Sequence, residues 1–155
     1  MRTIKYIVVH CTATPVTATI ENIRRYWKEV LGWANPGYHY IIKRDGEIIS
    51  ITDEDRIANG VAGNNRYSIH ISYIGGVDEK GKPLDNRTME QKEAMYGKLI
   101  ELAKKYPDVI IRGHRDFSPD KNSNGIIEPF EWIKGCPSFD VTEWLENYQS
   151  LNKAA

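Results

Sequence analysis

The chain has little cysteine, no excess charge of either sign and no long apolar run. Two cysteines in 155 residues, Cys11 and Cys136, exclude a disulfide-stapled scaffold and leave at most one bridge. Lys+Arg and Asp+Glu are equal at 21 each, so the net charge is zero. A nucleic-acid binder needs a basic face to displace counterions from phosphates, so no nucleic-acid partner is expected. Arg24, Arg25 and Lys28 form only a local basic cluster. No run is long enough to span a bilayer, and no membrane partner is expected. Met1-Arg2-Thr3-Ile4-Lys5 leads straight into a strand-like stretch with no apolar signal region before it. The expected location is the cytoplasm until release. Repeats, low-complexity tracts and linkers are all lacking, so one domain over residues 1–155 is expected, acting as a monomer.

What is present reads as alternating strands and helices. Ile4 to Val9 is a β-branched run that ends at His10 and is stopped by Pro15. Ile20, Ile23, Trp27 and Val30 recur at helical spacing, with Thr19 as cap and Gly32 as stop. Tyr38 to Ile42 and Glu47 to Ile51 flank Asp45-Gly46, a hairpin signal. Asn59 to Asn65 reads as a loop and Ser68 to Ile74 as a strand. Thr88 and Gln91 have capping-box spacing ahead of Met95, Leu99, Leu102 and Tyr106 on one helix face. Val109 to Arg112 is strand-like, and Trp144, Tyr148 and Leu151 mark a last helix. The pattern predicts an α/β fold: a central mixed β-sheet flanked by helices.

The chemistry-bearing residues are few. Of four histidines, His10 closes the first strand and His114 follows the Val109 strand, while Cys136 stands before Pro137. Adjacent strand ends bring side chains to one site. Two imidazoles and a thiolate are the donors zinc prefers, and three ligands leave a fourth position for water. On spacing alone, two hydrogen-bonded histidines and a buried thiol account for the same residues.

Four ordered segments carry more. They are Ile7-Val8-Val9-His10-Cys11-Thr12-Ala13-Thr14, Gly37 to Gly46 (with Tyr38-His39-Tyr40), Arg112-Gly113-His114-Arg115-Asp116, and Lys134-Gly135-Cys136-Pro137-Ser138-Phe139-Asp140. Together they resemble the amidase-2 family, which includes phage amidases and peptidoglycan recognition proteins. The resemblance implies a mixed sheet with a groove over a zinc ion held by His10, His114 and Cys136. It places Tyr38 and Lys134 on positions that assist catalysis. It implies hydrolysis of the amide between N-acetylmuramic acid and L-alanine in peptidoglycan. A phage lytic enzyme of the endolysin type and a bacterial remodelling enzyme share this pattern, and the lack of a signal region favours a phage or prophage product. Lys134 would stabilise the tetrahedral intermediate, and Tyr38 would orient water or pass a proton. The competing function is a peptidoglycan-binding module without catalysis. His39 is expected to face away from Tyr38 and to be structural. His70, where the family has a glycine, and Val61, near a position where relatives carry a histidine, depart from the pattern and are given no role.

One further motif lies between His114 and Cys136. Asp120, Asn122, Asn124, Gly125 and Glu131 fit the calcium-loop spacing at each specified position. Ile126 would add its carbonyl, and Glu128 sits where a ligand often acts through water. Polar loops of this composition also form for their own turn-making reasons. The expected cofactors are Zn2+ and, from this segment, Ca2+, which would stiffen the stretch carrying Lys134 and Cys136.

Overall fold

A computed structural model describes residues 2–154, with side chains through residue 148. Leu151, expected on the inner face of the last helix, lies outside the described side chains. Five strands form one sheet: β1 (Tyr6–Cys11), β2 (Tyr40–Ile42), β3 (Ile48–Ser50), β4 (Ser68–Tyr73) and β5 (Ile110–Gly113). Their order is β3-β2-β4-β1-β5. The pairs β2/β4, β4/β1 and β1/β5 are parallel, and β2/β3 is the antiparallel hairpin. The hairpin turns at Asp45-Gly46 as the sequence predicts, with Gly46 at φ +89. A side chain there would meet the Glu90 backbone at 2.9 Å, so both conformation and space call for glycine.

Strand alternation separates two layers. Ile7, Val9 and Cys11 of β1 and Ile69, Ile71 and Tyr73 of β4 face a core shared with α2 (Met89–Lys105) and α3 (Val141–Ala154). Met95, Leu99 and Leu102 present the predicted helix stripe to this core and are fully buried. Truncating any one to alanine costs about 2–5 kcal/mol. On the opposite face lie His10, His70 and Ser72, all buried. There α1 (Ile20–Arg25) runs into a π-helical turn over Tyr26–Val30, and Ile23 and Trp27 pack on Ile41 and Ile74.

The predicted Thr88 capping box forms, and the predicted Thr19 cap proves to be a capping box as well. Thr19 caps α1 with Asn22, and Thr88 caps α2 with Gln91. Gly32, at φ +65, ends the α1 segment. The strand β1 extends two residues beyond the expected Val9, because Cys11 continues the parallel register opposite Tyr73. His10 therefore sits on a rigid strand.

Candidate metal centre and active site

Three side chains meet at the C-terminal end of β1. His10, His114 and Cys136 each offer a ligand atom, and these atoms all lie within 4.8 Å of one another. Among the described residues this is the one such grouping of His, Cys, Asp or Glu. Each arrives by a different route. His10 is held on β1 opposite Ser72 of β4, one residue past the end of the β1/β5 pairing at Val9. His114 opens a 3-10 turn directly after β5. Cys136 returns from the long insertion, whose ends are tied where the Arg115 N–H donates to the Cys136 carbonyl (2.8 Å). A second tie is the Ile133 N–H donating to Ser118 Oγ (3.1 Å). Beyond Cys136, the Tyr73 hydroxyl donates to the Pro137 carbonyl at 2.7 Å. The Arg87 guanidinium lies 3.4 Å from the Phe139 ring centroid.

The donor set fits zinc. A tetrahedral ion with ordinary Zn–N and Zn–S bonds sets nitrogen and sulfur about 3.5 Å apart. His10 Nδ1 and Cys136 Sγ are 3.8 Å apart. The local electrostatics also favour a cation ligand set. Burial, then His70, His114 and Lys134, hold the His10 imidazole well below the usual histidine range. Burial, with the Lys134 charge adding to it, brings His114 down to about 4. Both rings thus keep a free lone pair at neutral pH. Burial pushes the Cys136 thiol up, so without a metal it is protonated. The Cys11 N–H donates to its sulfur at 3.2 Å, which supports charge on that atom once the proton leaves.

A cavity of about 640 Å3 opens over these atoms and is lined by His10, His114, Cys136, Tyr38 and Lys134. Tyr26, Trp27, Leu31 and Trp33 form its apolar wall. A neighbouring cavity of about 490 Å3 shares Trp33, Asn59, Gly60, His114 and Lys134, so the groove extends past the centre. The Tyr38 hydroxyl donates to the Cys11 carbonyl (3.2 Å), and its ring lies 5.0 Å from that of His10. Burial, followed by Cys136 and Cys11, pushes its phenol well above the usual range. Lys134 is exposed yet lines both cavities. All five residues singled out in the sequence thus come together.

Two histidines depart from expectation. The alternation expected to turn His39 away from Tyr38 does not reach them, because regular strand begins at Tyr40. His39 instead stacks on His70 (5.9 Å, 13°). Its Nδ1 accepts the His70 backbone N–H at 3.0 Å, and its Nε2 lies 2.8 Å from the Arg56 carbonyl. Its role is structural, as expected, for a different geometric reason. His70, given no role in the sequence, is fully buried, with Nδ1 2.9 Å from His10 Nε2. The available signal was the polar series Ser68, His70, Ser72 alternating with Ile69, Ile71, Tyr73. That pattern aligns His70 with the His10 face once β1 and β4 are paired in register.

The loop with calcium spacing curls around its two end carboxylates. Asp120 accepts the N–H groups of Asn124 (3.3 Å) and Gly125 (2.7 Å). Glu131, fully buried, accepts those of Lys121 (2.7 Å), Asn122 (3.3 Å) and Glu128 (2.8 Å). Gly125 has φ +82, the turn the motif requires.

Residues 1–126 match the family described as N-acetylmuramoyl-L-alanine amidase. The chain belongs to that family. An endolysin of Klebsiella phage KP32 is 36% identical over 142 residues, covering 90% of this chain and 84% of that protein. The amidase LysCS of Clostridium intestinale superposes with a TM-score of 0.74 at 21% identity, covering 96% of this chain and 85% of that one. Bumblebee PGRP-SA superposes with a TM-score of 0.70 at 22% identity, covering 94% and 81%. The fold is that of amidase-2 endolysins and peptidoglycan recognition proteins, and the chain is an amidase. The family match takes in His10, Tyr38 and His114 and ends before Lys134 and Cys136, so those two rest on the geometry above.

Proposed function

We propose that this amidase hydrolyses the bond between N-acetylmuramic acid and L-alanine in peptidoglycan, using a zinc ion held by His10, His114 and Cys136. The observation that carries the reading is the convergence of three such donors under an open groove. Zinc, when bound, lowers the pKa of its water and polarises an amide carbonyl. The chain's own residues supply the rest. Lys134 places a positive charge beside the centre, where the substrate carbonyl oxygen gains negative charge. Tyr38 keeps its proton at neutral pH and so orients or donates rather than accepts. Trp27 and Trp33 on the cavity wall exclude water from one side and give the substrate an apolar surface.

The similarity to phage endolysins supports action at the cell wall after release. No described helix is long and apolar enough to cross a membrane. A peptidoglycan-binding module without catalysis is the competing reading, and the complete donor set favours hydrolysis. The test is mass spectrometry of digested peptidoglycan with zinc-loaded protein. Release of stem peptides with a free L-alanine amine is expected, and its loss with binding retained is expected for Cys136→Ala. Binding without release by the parent protein would overturn the enzyme reading.

Calcium binding by Asp120, Asn122, Asn124, Ile126 and Glu131 is proposed as a second property. Its support is the motif spacing together with Gly125 in the required conformation.

A further inference from the structure

The buried pair His10–His70 has consequences for the metal. His10 presents Nδ1 to Cys136 Sγ (3.8 Å) and Nε2 to His70 Nδ1 (2.9 Å). Both rings are buried, so water does not compete for this contact. A neutral imidazole carries one N–H, and the hydrogen bond forces the two rings into complementary tautomers. Two arrangements exist. In one, His10 carries its proton on Nε2 and donates to a bare His70 Nδ1, which leaves His10 Nδ1 free to bind a cation. In the other, His70 donates from Nδ1, and His10 must carry its proton on Nδ1, where it blocks ligation.

We propose that His70 is the positioning residue of the metal centre: its Nδ1 accepts the His10 Nε2–H, fixing the ring's orientation and the tautomer that exposes Nδ1 to zinc. This rests on the zinc reading given above. The surroundings hold His70 in that task. Its backbone N–H is anchored to His39 Nδ1 (3.0 Å), and the His39 ring stacks on it. Gly60 closes the other side, where a Cβ would stand 2.2 Å from His70 Nδ1 and 2.5 Å from Cγ and Cε1. The far nitrogen, His70 Nε2, is buried with no hydrogen-bond partner. A histidine kept only for packing gains nothing from an unsatisfied polar atom, which a leucine would avoid. The His10 contact supplies the reason for the ring.

Carboxylates, carbonyls and other acceptors commonly hold a metal-bound histidine by its outer N–H, and removing them weakens metal binding roughly 10–100-fold. The test is zinc affinity by competition with a chromogenic chelator, on parent protein, His70→Leu and His70→Asn. His70→Leu removes the acceptor. His70→Asn restores an oxygen near the Nδ1 position. Parent protein that binds zinc, a 10–100-fold weaker His70→Leu and recovery in His70→Asn support the proposal. Equal affinity in parent and His70→Leu overturns it and leaves the zinc reading standing. Absence of zinc binding by the parent overturns both. Because the leucine variant can fail to fold, the parent also gives an independent answer. Long-range 1H–15N correlations of zinc-loaded, 15N-histidine-labelled protein are expected to show Nε2–H tautomers for both His10 and His70. A proton on His70 Nδ1 overturns the proposal.

Discussion

His10 Nδ1 and Cys136 Sγ stand 3.8 Å apart although 126 positions separate them in the chain. The strand supplies the first, and an insertion pinned at its base supplies the second. Because burial holds His10 and His114 neutral and keeps the Cys136 thiol protonated, zinc must displace one proton, from sulfur. Calorimetric zinc titrations near pH 7 in buffers of different ionisation enthalpy are expected to show about one proton released per zinc, and affinity rising about tenfold per pH unit. Release approaching two protons would mean that zinc-bound water also ionises or that a histidine is charged in the free protein, and repeating the titration near pH 6, where the bound water keeps its proton, separates the two. Release of none would mean that the thiolate is already present.

Much of this centre was legible in the sequence, and the reasons are specific. Thr19, Gly32, Asp45-Gly46 and Thr88 act through local hydrogen bonds and backbone freedom, so their signals sit within a few residues. His10, His114 and Cys136 were visible as donors, but only the ordered family pattern joined them. His70 was missed because its role depends on the register of β1 against β4, a long-range property that one sequence does not print. His39 was oriented wrongly because alternation was extended two residues beyond the strand.

Gly60 offers a second handle on the same pair. Gly60→Ala forces the His70 ring to shift, because the new methyl overlaps its Nδ1 edge at 2.2 Å. Overpacking of this kind costs about 1–3 kcal/mol. Zinc affinity is expected to fall roughly tenfold as well, because the His10 contact moves with the ring. Chelator competition and thermal melts of metal-free protein separate the two effects. A lower melting temperature with unchanged zinc affinity would confine Gly60 to packing.

Away from the centre, Glu54 ties β2 to the end of α2. It accepts from the Tyr40 hydroxyl at 2.5 Å, from the Tyr106 hydroxyl, and from Lys105 Nζ at 2.7 Å. Burial alone would raise its pKa, but the Lys105, Tyr106 and Tyr40 hydrogen bonds outweigh it and bring the carboxyl to about 2. A depressed carboxyl contributes stability that is fully present above its unfolded value, near 4.5. That stability is lost as pH falls toward 2. Glu54→Gln is expected to cost about 2 kcal/mol at neutral pH, in the range for hydrogen bonds to a charged group. The penalty should shrink as the parent is taken below pH 4. Denaturant melts at pH 7 and pH 3 measure both. An equal penalty at the two values would show that the carboxylate charge is not what Glu54 contributes.

The calcium reading and the metal centre meet at Glu131. Its carboxylate binds three N–H groups of its own loop. The base of that loop is already pinned by Arg115–Cys136 and Ser118–Ile133. Calcium added at one hundred times its Kd stabilises a folded protein by about 2.7 kcal/mol, which at this chain length raises the melting temperature by about 5–10 °C. The rise is expected in zinc-loaded parent and not in Glu131→Gln, which lowers the loop's charge while keeping one acceptor oxygen. Because two hydrogen bonds pin the base independently, zinc affinity should change by less than about threefold on calcium addition, a coupling below about 0.7 kcal/mol. A melting temperature unmoved by millimolar calcium would remove calcium from the protein's cofactors. A large change in zinc affinity would mean that the loop, and not its pinned base, positions Cys136.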